Sequence, residues 1–166
     1  MTELLARLIG IVLLRMGPQD LPASTLAFGL AVGLYGIVAA LSIFTTGTPP
    51  ERPIVSLVLY LLLPATLIWV VLRIAGRLGR FGQTATALYG VGALLAALNL
   101  PLIVIGTEDA PAPAVVLALL IFFWHFAVDA HIWRHALEVT YTAGLAVTVV
   151  LFAVSLFVIV NLGGMA

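Results

Sequence analysis

The sequence predicts an all-α integral membrane protein with five transmembrane helices, preceded by a short interfacial amphipathic helix. Of the 166 residues, 63% are hydrophobic and only 8% are charged. A soluble domain carries about 25% charged residues, so most of this protein's surface must face lipid. Because lipid offers no hydrogen-bond partners to the backbone, such a chain forms helices or a closed barrel, and the sequence lacks the alternating pattern of barrel strands.

The first segment, residues 1–16, differs from the rest of the chain. Its apolar run is interrupted by Arg7 and Arg15 and ends at Gly17-Pro18, so it is too short and too charged to cross a bilayer. We expect a helix in the membrane interface, with its arginines toward headgroups; an ordinary frayed terminus is the alternative. The residues expected to face lipid are Leu4, Leu5, Leu8 and Ile9.

Five later runs are long enough to cross the hydrocarbon core, which needs about 20 apolar residues. Short polar or Pro/Gly-rich breaks separate them, the last being a corner at Arg134-His135. We expect a single membrane domain over residues 1–166. The predicted spans are Ala23 to Thr45, Ile54 to Ile74, Thr84 to Ile105, Ala114 to Trp133 and Leu137 to Leu162.

The arginines predict the orientation. A cytoplasmic N-terminus places six of the seven arginines inside and leaves only Arg52 outside, as the positive-inside rule requires. Glu108 and Asp109 then lie in an outer loop and the C-terminus is external. Arginine without lysine, with much Ala, Gly and Pro, suggests a GC-rich bacterial genome and therefore a bacterial cytoplasmic (inner) membrane.

Small residues mark where helices can approach closely in lipid. The first span carries Gly29, Gly33 and Gly36, and the Gly29/Gly33 pair has the spacing that leaves a flat groove on one helix face. The groove predicts either a contact with another subunit or packing inside the bundle.

The fourth span carries a histidine and an aspartate within the predicted hydrocarbon region. His125 and Asp129 are one helical turn apart, so the carboxylate can reach the imidazole, and Tyr89 at similar depth is a possible further partner. An ionisable residue at this depth is a functional candidate that faces the bundle interior. The alternatives are a buried structural pair, a proton- or substrate-linked site, or side chains that reach toward the interface.

A second polar group lies near the inner end of the same span. His131, His135 and Glu138 share the opposite helix side and, with Arg134, are suited to lipid headgroups and to the helix dipole. Metal binding by these three residues is the alternative, but no fourth ligand is evident, and we expect no metal. The neighbouring loop carries Arg73, Arg77 and Arg80, which are expected to set topology and to contact lipid phosphate or an acidic partner.

Composition excludes several other classes of protein. Arginines and acidic residues balance at seven each, which argues against a nucleic-acid partner. The chain has no cysteine, so disulfides, thiolate nucleophiles and iron–sulfur clusters are excluded. A b-type haem would need a second histidine at matching depth, which only a symmetric dimer through His125 would supply, and no cofactor is expected.

The chain resembles a small prokaryotic member of the Yip (Ypt-interacting protein) superfamily of polytopic membrane proteins. The resemblance lies in the N-terminal helix ending at a proline, the five spans, the Gly79-Arg-Phe-Gly-Gln-Thr84 turn and the His131-Ile-Trp-Arg-His-Ala136 stretch. It covers most of the chain and implies the fold. Eukaryotic relatives are associated with Rab-type GTPases through cytosolic extensions; since this sequence has no such extension, that role does not carry over.

The sequence leaves three functions open. The first is a non-enzymatic scaffold or accessory subunit, in a homo-oligomer or a larger membrane assembly and surrounded by lipid. The second is a small channel or transporter with Asp129, His125 and Tyr89 along its path. The third is an enzyme acting on lipid, for which His131, His135 and Glu138 are the candidate acid and base groups.

Overall fold

The protein is all-helical over the part of the chain that its computed structural model describes, residues 2–45, 49–105 and 111–164. Five helices are long and apolar enough to cross a membrane, and a short helix precedes them. The predicted fold class is confirmed. The loop with Glu108 and Asp109 lies outside the described residues. The helices are α1 (Thr2–Val12), α2 (Thr25–Thr45), α3 (Pro53–Ile74), α4 (Phe81–Ile105), α5 (Ala112–Leu137) and α6 (Tyr141–Gly163).

Helix α5 continues through the predicted corner at Arg134-His135 and ends at Leu137. The reason is a capping contact from another helix end. Arg80 donates hydrogen bonds to the carbonyls of His135 (3.1 Å) and Ala136 (3.0 Å), two of the carbonyls that a helix end leaves without a partner. The following turn is three residues long, and α6 starts at Tyr141 rather than at Leu137.

The five long helices form a closed ring. In contact order the ring runs α2, α4, α5, α6, α3 and back to α2. Where α3 ends, α4 begins, α5 ends and α6 begins, the bundle carries Arg73, Arg77, Arg80 and Arg134; we call this the arginine end. At the opposite end Ser56, which is fully buried, donates to the Gly163 carbonyl at 3.2 Å. This bond ties the start of α3 to the end of α6 and helps to close the ring.

Helix α1 packs across the bundle instead of facing lipid with all its leucines. Leu8 and Ile11 are buried in a cluster with residues of α4 and α5, so the expectation that Leu8 faces lipid is wrong. The cause is Gly90 of α4, which lacks the side chain that would occupy the space taken by Leu8. Leu5 and Ile9, on the other face of α1, are exposed as expected.

Helices α5 and α6 approach each other closely at Gly144. A Cβ added to Gly144 would overlap the Ala130 carbonyl oxygen and lie 3.0 Å from the Arg134 amide nitrogen. Both atoms belong to the backbone of α5 and cannot move without moving the helix. Gly144 therefore sets the separation of α5 and α6, in the way that small residues set helix distances in lipid.

We predict that Gly144→Ala lowers the melting temperature in mild detergent, because α5 and α6 must separate to admit the methyl group. The expected loss is about 1–3 kcal/mol, typical of an overpacked interior. Gly82→Ala is the matched control, since a Cβ there meets no atom within 4 Å and should change stability by less than about 1 kcal/mol. Equal melting temperatures for the two variants would contradict the close-packing argument.

Candidate functional site

The ring of helices encloses a cavity of about 340 Å³. Every one of the five long helices contributes to its wall, so the cavity exists only in the assembled bundle. Much of the wall is apolar, and it carries a small number of polar groups from different helices. The polar side chains that line it are Tyr35, Tyr60, Tyr89, His125, Asp129, Thr148 and Ser155.

The carboxylate of Asp129 is the acidic group of this cavity. Its Oδ1 atom is buried and has no hydrogen-bond partner among the described residues. The Nε2 atom of His125 lies 3.7 Å from it, which is close enough for electrostatic attraction but too long for a hydrogen bond. The sequence correctly indicated that the two side chains meet, but the expected hydrogen bond between them is not formed. A buried carboxylate oxygen left in this state retains capacity for another donor.

The hydroxyl of Tyr89, a residue of α4, makes both of its hydrogen bonds to the backbone of α3. It accepts from the Ala65 amide at 3.0 Å and donates to the Leu61 carbonyl, two groups that bond directly to each other in a regular helix. The hydroxyl is thus inserted into the helical hydrogen bond next to Pro64, at a point where α3 is already short of one donor. Tyr89 lines the cavity, but its hydroxyl stabilises the wall rather than pairing with Asp129.

Aromatic rings form much of the cavity wall. Phe126 and Phe152 contact each other edge to face with centroids 5.0 Å apart, and Phe122 lies against both. Phe122, Phe152 and Leu156 line the cavity and are also exposed, with 40%, 41% and 51% of their surface accessible. The cavity is therefore a cleft that opens at their level rather than a sealed void.

The arginine end contains an ion-pair network. Glu138 contacts Arg77 at 2.6 Å and also pairs with Arg80, and hydrogen bonds from these guanidinium groups hold the pKa of the Glu138 carboxyl below its ordinary value. Glu138 joins the turn between α5 and α6 to the loop between α3 and α4. Arg73 does not take part; its guanidinium lies 5.2 Å from the Trp69 ring centre, in a cation–π contact.

The structure keeps the two histidines that the sequence grouped as possible metal ligands together but directs Glu138 to other partners. His131 lies with Nε2 3.1 Å from the Met16 carbonyl, and its ring stands 4.5 Å from that of His135, while Glu138 is held by the two arginines. In the described ranges no group of three histidine or acidic side chains is placed to share a metal ion. Arg134 is exposed.

The glycines of α2 divide between two surroundings. Gly36 faces α3, where an added Cβ would lie 3.2 Å from Leu61. Gly29 and Gly33 are exposed, and an added Cβ at either would meet no described atom within 4 Å. Gly36 therefore contributes to packing inside the bundle, whereas the Gly29/Gly33 groove faces outward.

Sequence reasoning missed four polar cavity residues, Tyr35, Tyr60, Thr148 and Ser155. Each is a hydroxyl-bearing residue within an otherwise apolar span, and that is the signal that could have marked them. The periodicity of a single helix does not reveal which helices meet, so it could not bring these side chains together with Asp129. Comparison with protein-family models, curated proteins and solved structures finds no match for this chain, and the resemblance to the Yip superfamily stays a prediction.

We predict that Tyr89→Phe destabilises the bundle. Without the hydroxyl, the Ala65 amide and the Leu61 carbonyl lose their partner unless α3 closes around Pro64, and unpaired buried backbone groups cost about 1–3 kcal/mol. The measurement is the melting temperature in mild detergent. Tyr60→Phe is the control, because this cavity tyrosine makes no hydrogen bond to the backbone of the described residues. An equal loss in both variants would contradict the special role of Tyr89.

Proposed function

We propose that this chain is a non-enzymatic membrane protein of the transporter class, which binds a small solute inside its helix ring. The observation that supports this most strongly is Asp129, whose carboxylate faces a cavity built by all five long helices and has one oxygen without a partner. A dry, hydrogen-bonded pair of His125 and Asp129 would have favoured a purely structural role. The observed pair is neither hydrogen-bonded nor sealed from the cavity.

The dimensions of the cavity agree with this proposal. Small-molecule sites commonly occupy about 300–1,000 Å³ and combine apolar walls with a few convergent polar groups, and this cavity has both features. Ionisable residues inside a membrane span are costly to insert and commonly mark substrate or ion paths. Tyr35, Tyr60 and Ser155 supply further hydroxyl groups from three other helices.

We further propose that the protein lies in a bacterial inner membrane with its N-terminus in the cytoplasm. The supporting observation is that Arg73, Arg77, Arg80 and Arg134 gather at one end of the bundle, while Arg52 is at the other end, beside the start of α3. Under the positive-inside rule the arginine end is cytoplasmic. Ser155, which lines the cleft, lies about 12 Å along the helix axis from Gly163, where α6 ends on the side away from the arginine end, at about 1.5 Å per residue.

Single cysteines test this proposal directly, because the natural chain has none. We expect Ser155→Cys in membrane vesicles to react with a small charged methanethiosulfonate added from the periplasmic side, because the proposed solute path connects the cavity to that side. Gly79→Cys, in the loop at the arginine end, should react only from the cytoplasmic side. Thr86→Cys, buried between helices, is the unreactive control. A folded Ser155→Cys variant that stays inert from both sides would disprove solute access.

A second candidate function is the scaffold or accessory subunit, and the outward-facing groove of Gly29 and Gly33 favours it. A second copy of α2 could pack closely there, since nothing described occupies the groove. This role is compatible with membership of the Yip superfamily, which we retain as a proposal on the resemblance of the motifs. It also agrees with a homo-oligomer surrounded by membrane lipids.

For this second function we predict that Gly33→Leu weakens self-association in mild detergent at least about ten-fold, an energy of about 1.4 kcal/mol. Leucine fills the groove without clashing inside the protomer, where an added Cβ at Gly33 meets nothing. Ala146→Leu introduces the same side chain at an exposed position of α6 and should leave association unchanged. Sedimentation equilibrium measures both, and an unaltered Gly33→Leu dimerisation constant would exclude the groove.

A further inference from the structure

With its histidine counted as neutral, the described wall of the cavity carries a single charge, the negative charge of Asp129. Asp129 is the acidic residue of the wall, and none of the described residues that line the cavity is an arginine; the chain has no lysine. The arginines nearest to cavity residues along the sequence are Arg73, which lies over the Trp69 ring, and Arg134, which is exposed. The charged ligand that this cavity favours is therefore a cation.

The aromatic side chains point to the same charge. Seven rings that line the cavity come from all five long helices, so they surround its interior instead of covering one side. Ring faces carry negative partial charge and attract cations, and the attraction is strongest where water is excluded. The seven aromatic residues are Tyr35, Tyr60, Tyr89, Phe122, Phe126, Trp133 and Phe152.

The wall does not suit a bare metal ion. Hard metal cations require about six oxygen ligands in place of their water shell, whereas this cavity offers one carboxylate and a few hydroxyl groups, with Tyr89 already bonded to α3 and Thr148 donating to the Gly144 carbonyl. No metal-binding group of three histidine or acidic residues occurs in the described chain. An organic ammonium, by contrast, is satisfied by one carboxylate and several ring faces.

We propose that the solute is a small organic monocation, an alkylammonium whose charged nitrogen lies next to Asp129 and whose apolar groups contact the phenylalanine and tyrosine rings. This inference rests on the proposed solute-binding function and names its ligand class. The exposed rings of Phe122 and Phe152 at the rim continue the same surface outward, so the cation meets aromatic faces from entry to binding.

The test compares choline with its uncharged isostere 3,3-dimethylbutan-1-ol, using saturation-transfer NMR on the full-length protein in nanodiscs. The two probes have nearly the same shape and differ in charge. We expect choline to bind the natural protein at least about ten-fold more tightly than the alcohol. Asp129→Asn should remove this preference, while Glu51→Gln, which neutralises a carboxylate at the opposite end of the bundle, should retain it.

A second variant covers the case in which Asp129→Asn does not fold. Phe126→Leu removes one ring and keeps an apolar side chain of similar bulk, so choline affinity should fall several-fold while alcohol affinity changes little. Equal binding of choline and the alcohol, unaffected by either variant, would overturn the cation inference and leave solute binding intact. Failure of both probes to bind, together with an inert Ser155→Cys variant, would overturn the solute-binding function itself.

Discussion

The structure depends on one constraint: a backbone polar group inside a bilayer must find its partner within the protein. The constraint is visible where the helices are irregular. At Pro64 the hydroxyl of Tyr89 enters the helix and serves both an amide and a carbonyl of α3. At the end of α5, Arg80 supplies donors to two carbonyls. In both places a side chain from α4 or its preceding turn completes another helix, so these helices cannot adopt their shapes independently.

The contacts that complete the hydrogen bonding of the helices also position the cavity. Because Tyr89 holds the α3 backbone around Pro64, the wall contributed by α3 has a defined shape at the level of Asp129. Gly144 brings α6 against α5 on the other side, and Ser56 closes the ring at the opposite end. The cleft of about 340 Å³ next to the Asp129 carboxylate is the feature of the fold on which the proposed solute site depends.

The two polar groups of α5 have different tasks, although they lie only a few residues apart. Asp129 and His125 face the interior of the ring, where an unpartnered oxygen is available to a ligand. His131 contacts the Met16 carbonyl after α1, and Glu138 binds the arginines of the neighbouring loop. The second group joins α1 and two interhelical connections to the arginine end. It stabilises the scaffold that surrounds the first group.

The sequence by itself determined that most of the protein's surface suits lipid, that five spans occur and that the polar residues of α5 form two separate groups. It could do so because hydropathy and helical periodicity are properties of each segment alone. It also indicated that His125 and Asp129 meet. Only the tertiary structure decided that α5 extends to Leu137, that Leu8 is buried, that Tyr89 repairs α3 and that Tyr35, Tyr60 and Ser155 share a cavity with Asp129. Each of these depends on which helices are neighbours, and a one-dimensional pattern does not contain that information.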